Sequence, residues 1–408
     1  MPSTEPQAPQ SRFHPPHLYG AARLAVDATV GIVDLVEAMH HTIATRAGIF
    51  GAAPSGRTGG ITGLVYRTIR GAARLTGAGI DTAWDALAPE FAAAAPDLER
   101  DAVIAALNGI CGKHLAATGN KLAVPMQLRV GERALRLEAG AVGAAIENPR
   151  PHLIVLVHGL CLTDTQWRRQ GHDHGQALAR DLGASAVYLH YNTGRHISDN
   201  GNEFARMLDR LVENWPVPVE HLTIIGHSMG GLVGRSACIA AETMGARWPG
   251  LLRNMIFLGT PHHGAPLERG GMLIDKTLGL SPYIAPFARL SKVRSAGITD
   301  LRFGNLRPDD WQNRDRHSQH QDDRTPAKLP ENTACFAIAA TLSDTANSLH
   351  TNLLGDGLVP LASALGEHND KARDLNIRHD RKYVALNASH FGLLNRADVY
   401  ERLRDWAK

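Results

Sequence analysis

A chain of 408 residues, 44% of them hydrophobic and 20% charged, has room for a large core, since chains above about 300 residues bury roughly three quarters of their unfolded surface. Lys and Arg total 43 against 40 Asp and Glu, a net charge of +3, and that balance argues against a nucleic-acid binder, whose basic excess is larger and clustered. Four widely spaced cysteines, Cys111, Cys161, Cys238 and Cys335, form no C-x-x-C pair; they argue against a zinc site or a disulfide framework and read as buried thiols acting as small hydrophobes.

Residues 1–16 are polar and rich in Pro, Ser and Gln, the composition of a disordered tail. They have neither the basic start nor the apolar run of a signal peptide. No stretch of about 18 apolar residues suggests a membrane span. The expected location is therefore the cytoplasm. Residues 17–125 read as a helical region. Ile32, Leu35, Val36, Met39 and Ile43 recur at three- and four-residue steps, and Ile61, Leu64, Val65 and Ile69 repeat the pattern after a Gly-rich break. A third helix is expected over roughly 97–117. Arg67, Arg70 and Arg74 share one face of the second helix. A basic face of this kind suits either solvent or the surface of an anionic membrane.

From residue 126 the pattern changes. Alternating Leu128, Val130, Leu135 and Leu137 around Gly131-Glu132 predict a β-hairpin. Six apolar runs follow, at 153–157, 186–190, 222–225, 255–258, 335–339 and 383–386. The first is continuous, as in a strand buried on both faces. Helical stretches intervene near 176–182, 203–215 and 232–244, so the fold class is α/β with a mostly parallel sheet. Residues 265–330 interrupt the alternation and read as a cap or lid within the domain 126–408.

The strongest motif is Gly226-His227-Ser228-Met229-Gly230, followed by Gly231. It follows an apolar strand and opens a helix, the context of a nucleophile elbow. The turn is sharp, so the residues two before and two after the serine must be small. A serine hydroxyl needs a base, and the base needs an orienting acid. In this fold they follow in the order Ser, acid, His. His390, just past the last strand, is the expected base; His350, His368 and His379 lie in polar stretches before it. Asp356, flanked by glycines, is the expected acid, with Asp344 as its rival. The oxyanion donors are expected to be the N–H groups of Met229 and of Leu160, with Cys161 as the lesser alternative. His158, Cys161, His227 and His262 are candidates for lining the substrate pocket. His172, Asp173 and His174 read as a solvated face, and no metal site or cofactor is expected.

At these residues the chain resembles a known group. His158-Gly-Leu160, Gly226-His-Ser-Met-Gly-Gly231, Gly259-Thr-Pro-His-His-Gly264 and Gly355-Asp-Gly-Leu-Val-Pro360 together resemble the bacterial lipase/esterase branch of the α/β-hydrolases related to PGAP1-like hydrolases. The resemblance covers about residues 150–408. It implies the α/β-hydrolase fold and ester hydrolysis, often of lipids, by Ser228, Asp356 and His390. Some secreted lipases of this kind hold a structural calcium, for which no ligands can be matched here. Two other readings stay open: thioester, amide or acyl-transfer chemistry on the same fold, and a membrane-surface or partner-binding protein acting through its N-terminal helices.

Overall fold

The computed structural model describes residues 98–265, 295–312, 322, 324–344 and 355–408. The expected disordered tail, the first two N-terminal helices and the first part of the cap lie outside the described residues. What is described falls in two compact units, residues 98–124 and residues 125–265 with 295–408.

In the first unit, helix α1 (Leu98–Ala117) matches the third expected helix. The chain then turns back on it. Asn108 donates its side-chain amide to the carbonyls of Ile104 and Leu122 and accepts the N–H of Val124, so one buried amide satisfies both the helix and the returning loop.

The second unit is built on an eight-stranded sheet. Its strands are β1 (Gln127–Val130), β2 (Arg133–Ala134), β3 (His152–Val157), β6 (Ser185–His190), β7 (His221–His227), β8 (Leu252–Leu258), β9 (Ala334–Ala340) and β10 (Lys382–Ala385). A short separate ribbon pairs β4 (Arg168–Arg169) with β5 (His172–Asp173). The spatial order is β10-β9-β8-β7-β3-β6-β1-β2. From β10 to β6 every pairing is parallel; the predicted hairpin is antiparallel within itself, β1 to β2, and β1 joins β6 antiparallel as well. All six expected strands are present. The fold is an α/β-hydrolase fold, a mostly parallel sheet flanked by helices.

Leu153 to Val157 of β3 are fully buried because helices cover both faces. Ile154, Leu156, Ile225, Ile256 and Ile338 point to one side, where they meet Leu178 of helix α3 (His174–Leu182) and Val399 and Leu403 of α8 (Ala397–Trp406). The other face carries α4 (Ile197–Glu213) and α5 (Met229–Met244). Helix α4 buries Phe204, Leu208 and Leu211 at steps of four and three, the stripe its sequence predicts. α4 approaches α5 so closely that a Cβ on Gly201 would collide with the side chain of Ser236. Cys161, Cys238 and Cys335 are buried.

Chain order places β3 in the middle, β6 on one side and β7 to β10 on the other. The direction of winding therefore reverses beside β3. In open α/β sheets ligands bind at such a point, outside the carboxyl ends of the strands. Among the described residues no helix is long and apolar enough to cross a membrane.

Replacing Gly201 by Val forces α4 and α5 apart. The expected loss is about 1–3 kcal/mol of unfolding free energy, the usual cost of overpacking. Urea denaturation measures it, and an unchanged midpoint would refute the close approach.

Candidate active site

Ser228, the loop after β3, His390 and Asp356 gather at the carboxyl ends of β3, β7 and β8. Ser228 stands between β7 and α5 with φ 54° and ψ −125°. A non-glycine residue at positive φ costs of order 1–3 kcal/mol and persists only where its surroundings hold it. Here Ser228 N–H donates to Leu258 O at 2.8 Å, and Gly231 N–H donates to Ser228 O at 3.1 Å. The glycines around it have no room for a Cβ. On Gly226 it would meet the Gly231 backbone, on Gly230 the Val157 carbonyl oxygen, and on Gly231 the Thr260 side chain.

His390 begins a short 3-10 turn after β10. Its ring packs on Gly259, the residue after the carbonyl that holds Ser228. Its Nδ1–H donates to Asp356 Oδ2 at 2.6 Å. The other carboxylate oxygen of Asp356 accepts the backbone N–H groups of Leu358 and Val359, each at 2.9 Å. Both oxygens are thus engaged and the carboxylate is buried. The rival Asp344 is exposed.

The loop after β3 lies against the serine. A Cβ on Gly159 would sit 2.9 Å from Ser228 Cβ. Cys161, at φ 58°, donates its N–H to Thr193 Oγ1 at 3.1 Å. That N–H is occupied, while the N–H of the preceding Leu160 has no partner among the described residues. Met229 opens α5, so its N–H has no acceptor within the helix. The Tyr191 hydroxyl donates to His158 O at 2.8 Å and pins the loop from behind.

Residues 150–328 match the family model of the PGAP1-like alpha/beta domain. Three of the four motifs lie inside that span, and the resemblance to PGAP1-like hydrolases stands. Among solved structures the chain is similar to a Bacillus licheniformis lipase in its mature form (19% identity, 61% of this chain and 89% of that one, TM-score 0.37). It is also similar to a Pyrococcus furiosus esterase (14% identity, 64% and 85%, TM-score 0.38) and to the phospholipase PlaB of Legionella pneumophila (16% identity, 52% and 45%, TM-score 0.34). No curated protein matches the chain.

The remaining candidates have individual placements. His227 lies beneath His390, ring centroids 4.7 Å apart, and its Nε2–H donates to the His390 carbonyl at 3.2 Å. His158 stacks on Tyr191 at 4.4 Å. The ring of His262 meets Phe257 and Arg235, on the far side of the Gly259–Gly264 loop. Burial holds all three histidines in the neutral form: His158 is lowered to about 3, and His227 and His262 fall well below the ordinary value. His172, Asp173 and His174 are not the solvated face that their sequence suggests. Asp173 caps α3 and accepts the Tyr188 hydroxyl at 2.6 Å, and the buried His174 donates to Leu393 O at 2.9 Å. Among the described residues no cluster of three metal-ligating side chains occurs.

Several residues that shape the site carry no motif. Helix α6 (Ala296–Leu301), within the insertion 265–330, sits against it: a Cβ on Gly297 would collide with Thr193 O and lie 3.1 Å from Met229 Cε. Asp300 anchors this helix by accepting His196 Nδ1–H at 3.0 Å and Ile197 N–H at 2.9 Å. Ala265 N–H donates to Leu301 O at 3.0 Å, which ties the end of α6 to the loop after β8.

The buried neutral histidines set a pH dependence. In the unfolded chain they titrate near their ordinary value of 6.5, and in the folded chain far lower, at about 3 for His158 and about 4 for His174. Their contribution is complete above pH 6.5 and is lost as pH falls toward the folded values, by up to about 1.4 kcal/mol per pH unit for each histidine. Unfolding free energy measured in urea at pH 7, 6 and 5 is therefore expected to fall before the carboxylates titrate. A flat profile over that range would contradict it.

Proposed function

We propose that the chain is a serine hydrolase of carboxylic esters, with Ser228 as nucleophile, His390 as general base and Asp356 as its orienting acid. The observation that carries this reading is the 2.6 Å hydrogen bond from His390 Nδ1–H to a buried, fully engaged Asp356 carboxylate, at the end of the sheet where Ser228 is held on its strained turn. Nδ1–H is committed to Asp356, which leaves the Nε2 lone pair for the serine proton. As Ser228 Oγ attacks the ester carbonyl, His390 takes that proton, and Asp356 stabilises the resulting imidazolium. The N–H groups of Leu160 and Met229 receive the developing oxyanion. His390 then protonates the leaving alkoxide, and a water activated by the same imidazole releases the acid. No step calls for a cofactor.

The resemblance of the motifs to PGAP1-like hydrolases directs the substrate choice toward lipid-like esters. The cap would line the acyl pocket, with α6 forming its wall beside Met229.

A chain-length series of p-nitrophenyl esters tests this reading. Wild-type protein is expected to turn the esters over, with kcat/KM rising with acyl length. Ser228→Ala should lower kcat by about 10⁴–10⁶, and Asp356→Asn by about 10⁴, because the amide favours the wrong imidazole tautomer. Absence of turnover on every ester, or full activity in Ser228→Ala, would refute the assignment.

A further inference from the structure

Behind the Gly259–Gly264 loop lies a small, partly open pocket lined among others by Arg235, His262, His263, Asp310, Arg324 and Arg373. Its charges are unevenly matched. The guanidinium of Arg324 is held by both oxygens of Asp322 and by Gly304 O. Arg373 reaches the same Asp322 carboxylate at 3.2 Å and Asp370 at 3.4 Å, so Asp322 serves two guanidinium groups. Asp310 spends one oxygen on the N–H groups of Leu306 and Arg307.

Arg235 differs from the other two. It is buried within α5, and among the described residues no carboxylate pairs with it. Nη2 donates to Ala327 O at 2.6 Å, Nη1 donates to His262 Nδ1 at 3.3 Å, and Nε has no partner. Because His262 accepts at Nδ1, it carries its proton on Nε2, and that atom too is buried without a partner. An arginine cannot escape burial by losing its proton at neutral pH. A buried, uncompensated charge is costly, as is each buried donor left without an acceptor. A group that would offset the Arg235 charge is an anion rich in acceptor oxygens.

We propose that this pocket binds a phosphate-class oxyanion, inorganic phosphate or the phosphate of a monoester, on Arg235, His262 and Arg373. Arg235 supplies the unpaired charge and a planar set of donors suited to phosphate oxygens. Arg373, less buried, stands at the rim beside exposed Thr325 and Pro326. The site is separate from Ser228 and needs no ester chemistry.

Calorimetric titration of the full chain with inorganic phosphate, in chloride buffer at matched ionic strength, tests the proposal. Saturable binding at one site is expected. Arg235→Met and Arg373→Gln should each weaken it about tenfold or more, the size of one lost charge-assisted hydrogen bond. Arg373→Gln changes a rim residue and keeps the test valid if Arg235→Met fails to fold. Absence of saturable binding by the wild type, or unchanged affinity in the folded variants, would overturn the proposal. Competition with vesicles separates the sources. Displacement of phosphate by phosphatidic acid but not phosphatidylcholine supports a headgroup phosphate, and retention of phosphate against both supports the free anion.

Discussion

The tight turn at Ser228 is the constraint on which the rest of the site depends. It requires a non-glycine residue at positive φ, glycines with no space for a side chain on either side, and a backbone hydrogen bond from Ser228 to Leu258 at the end of the neighbouring strand. Gly230 lies so near the Val157 carbonyl that the first turn of α5 rests on the end of β3. The serine, the loop after β3 and the loop after β8 are thus one packed unit. A sheet of parallel strands with its winding reversal at β3 supplies three adjacent carboxyl ends for that unit to sit on.

The same packing extends outward in two directions. On one side, Gly259 lets His390 approach, and His227 ties the His390 backbone. On the other, Thr193 and Tyr191 from the segment after β6 fix Cys161 and His158 in the loop after β3. That division leaves the Leu160 N–H uncommitted while its neighbour's is used. Helix α6 is held by the buried His196–Asp300 pair, so it keeps its position beside Met229.

Much of this was legible in the sequence, for physical reasons. A strand covered on both faces must be apolar throughout, so β3, β7 and β8 appear as uninterrupted runs. A turn with no room for side chains must be written in glycine, which makes the Gly226–Gly231 segment readable. The contacts that the sequence did not reveal join residues of ordinary type across long separations. Nothing local marks Thr193 as the acceptor for Cys161 or Asp300 as the partner of His196. His172 to His174 look solvated because their own neighbours are polar, while the carbonyl that buries His174 comes from Leu393. His262 sits in a loop that borders the site, yet its ring is drawn to Arg235 by a hydrogen bond that no spacing predicts.

On the proposed function, the surroundings of the Ser228 oxygen make it a nucleophile. The most direct measurement is mass spectrometry of the protein after exposure to a fluorophosphonate, with the modified peptide sequenced. One stoichiometric adduct on Ser228 is expected, absent from Ser228→Ala and strongly slowed in His390→Ala. An unmodified Ser228 in folded wild-type protein, or an adduct on another residue, would contradict it.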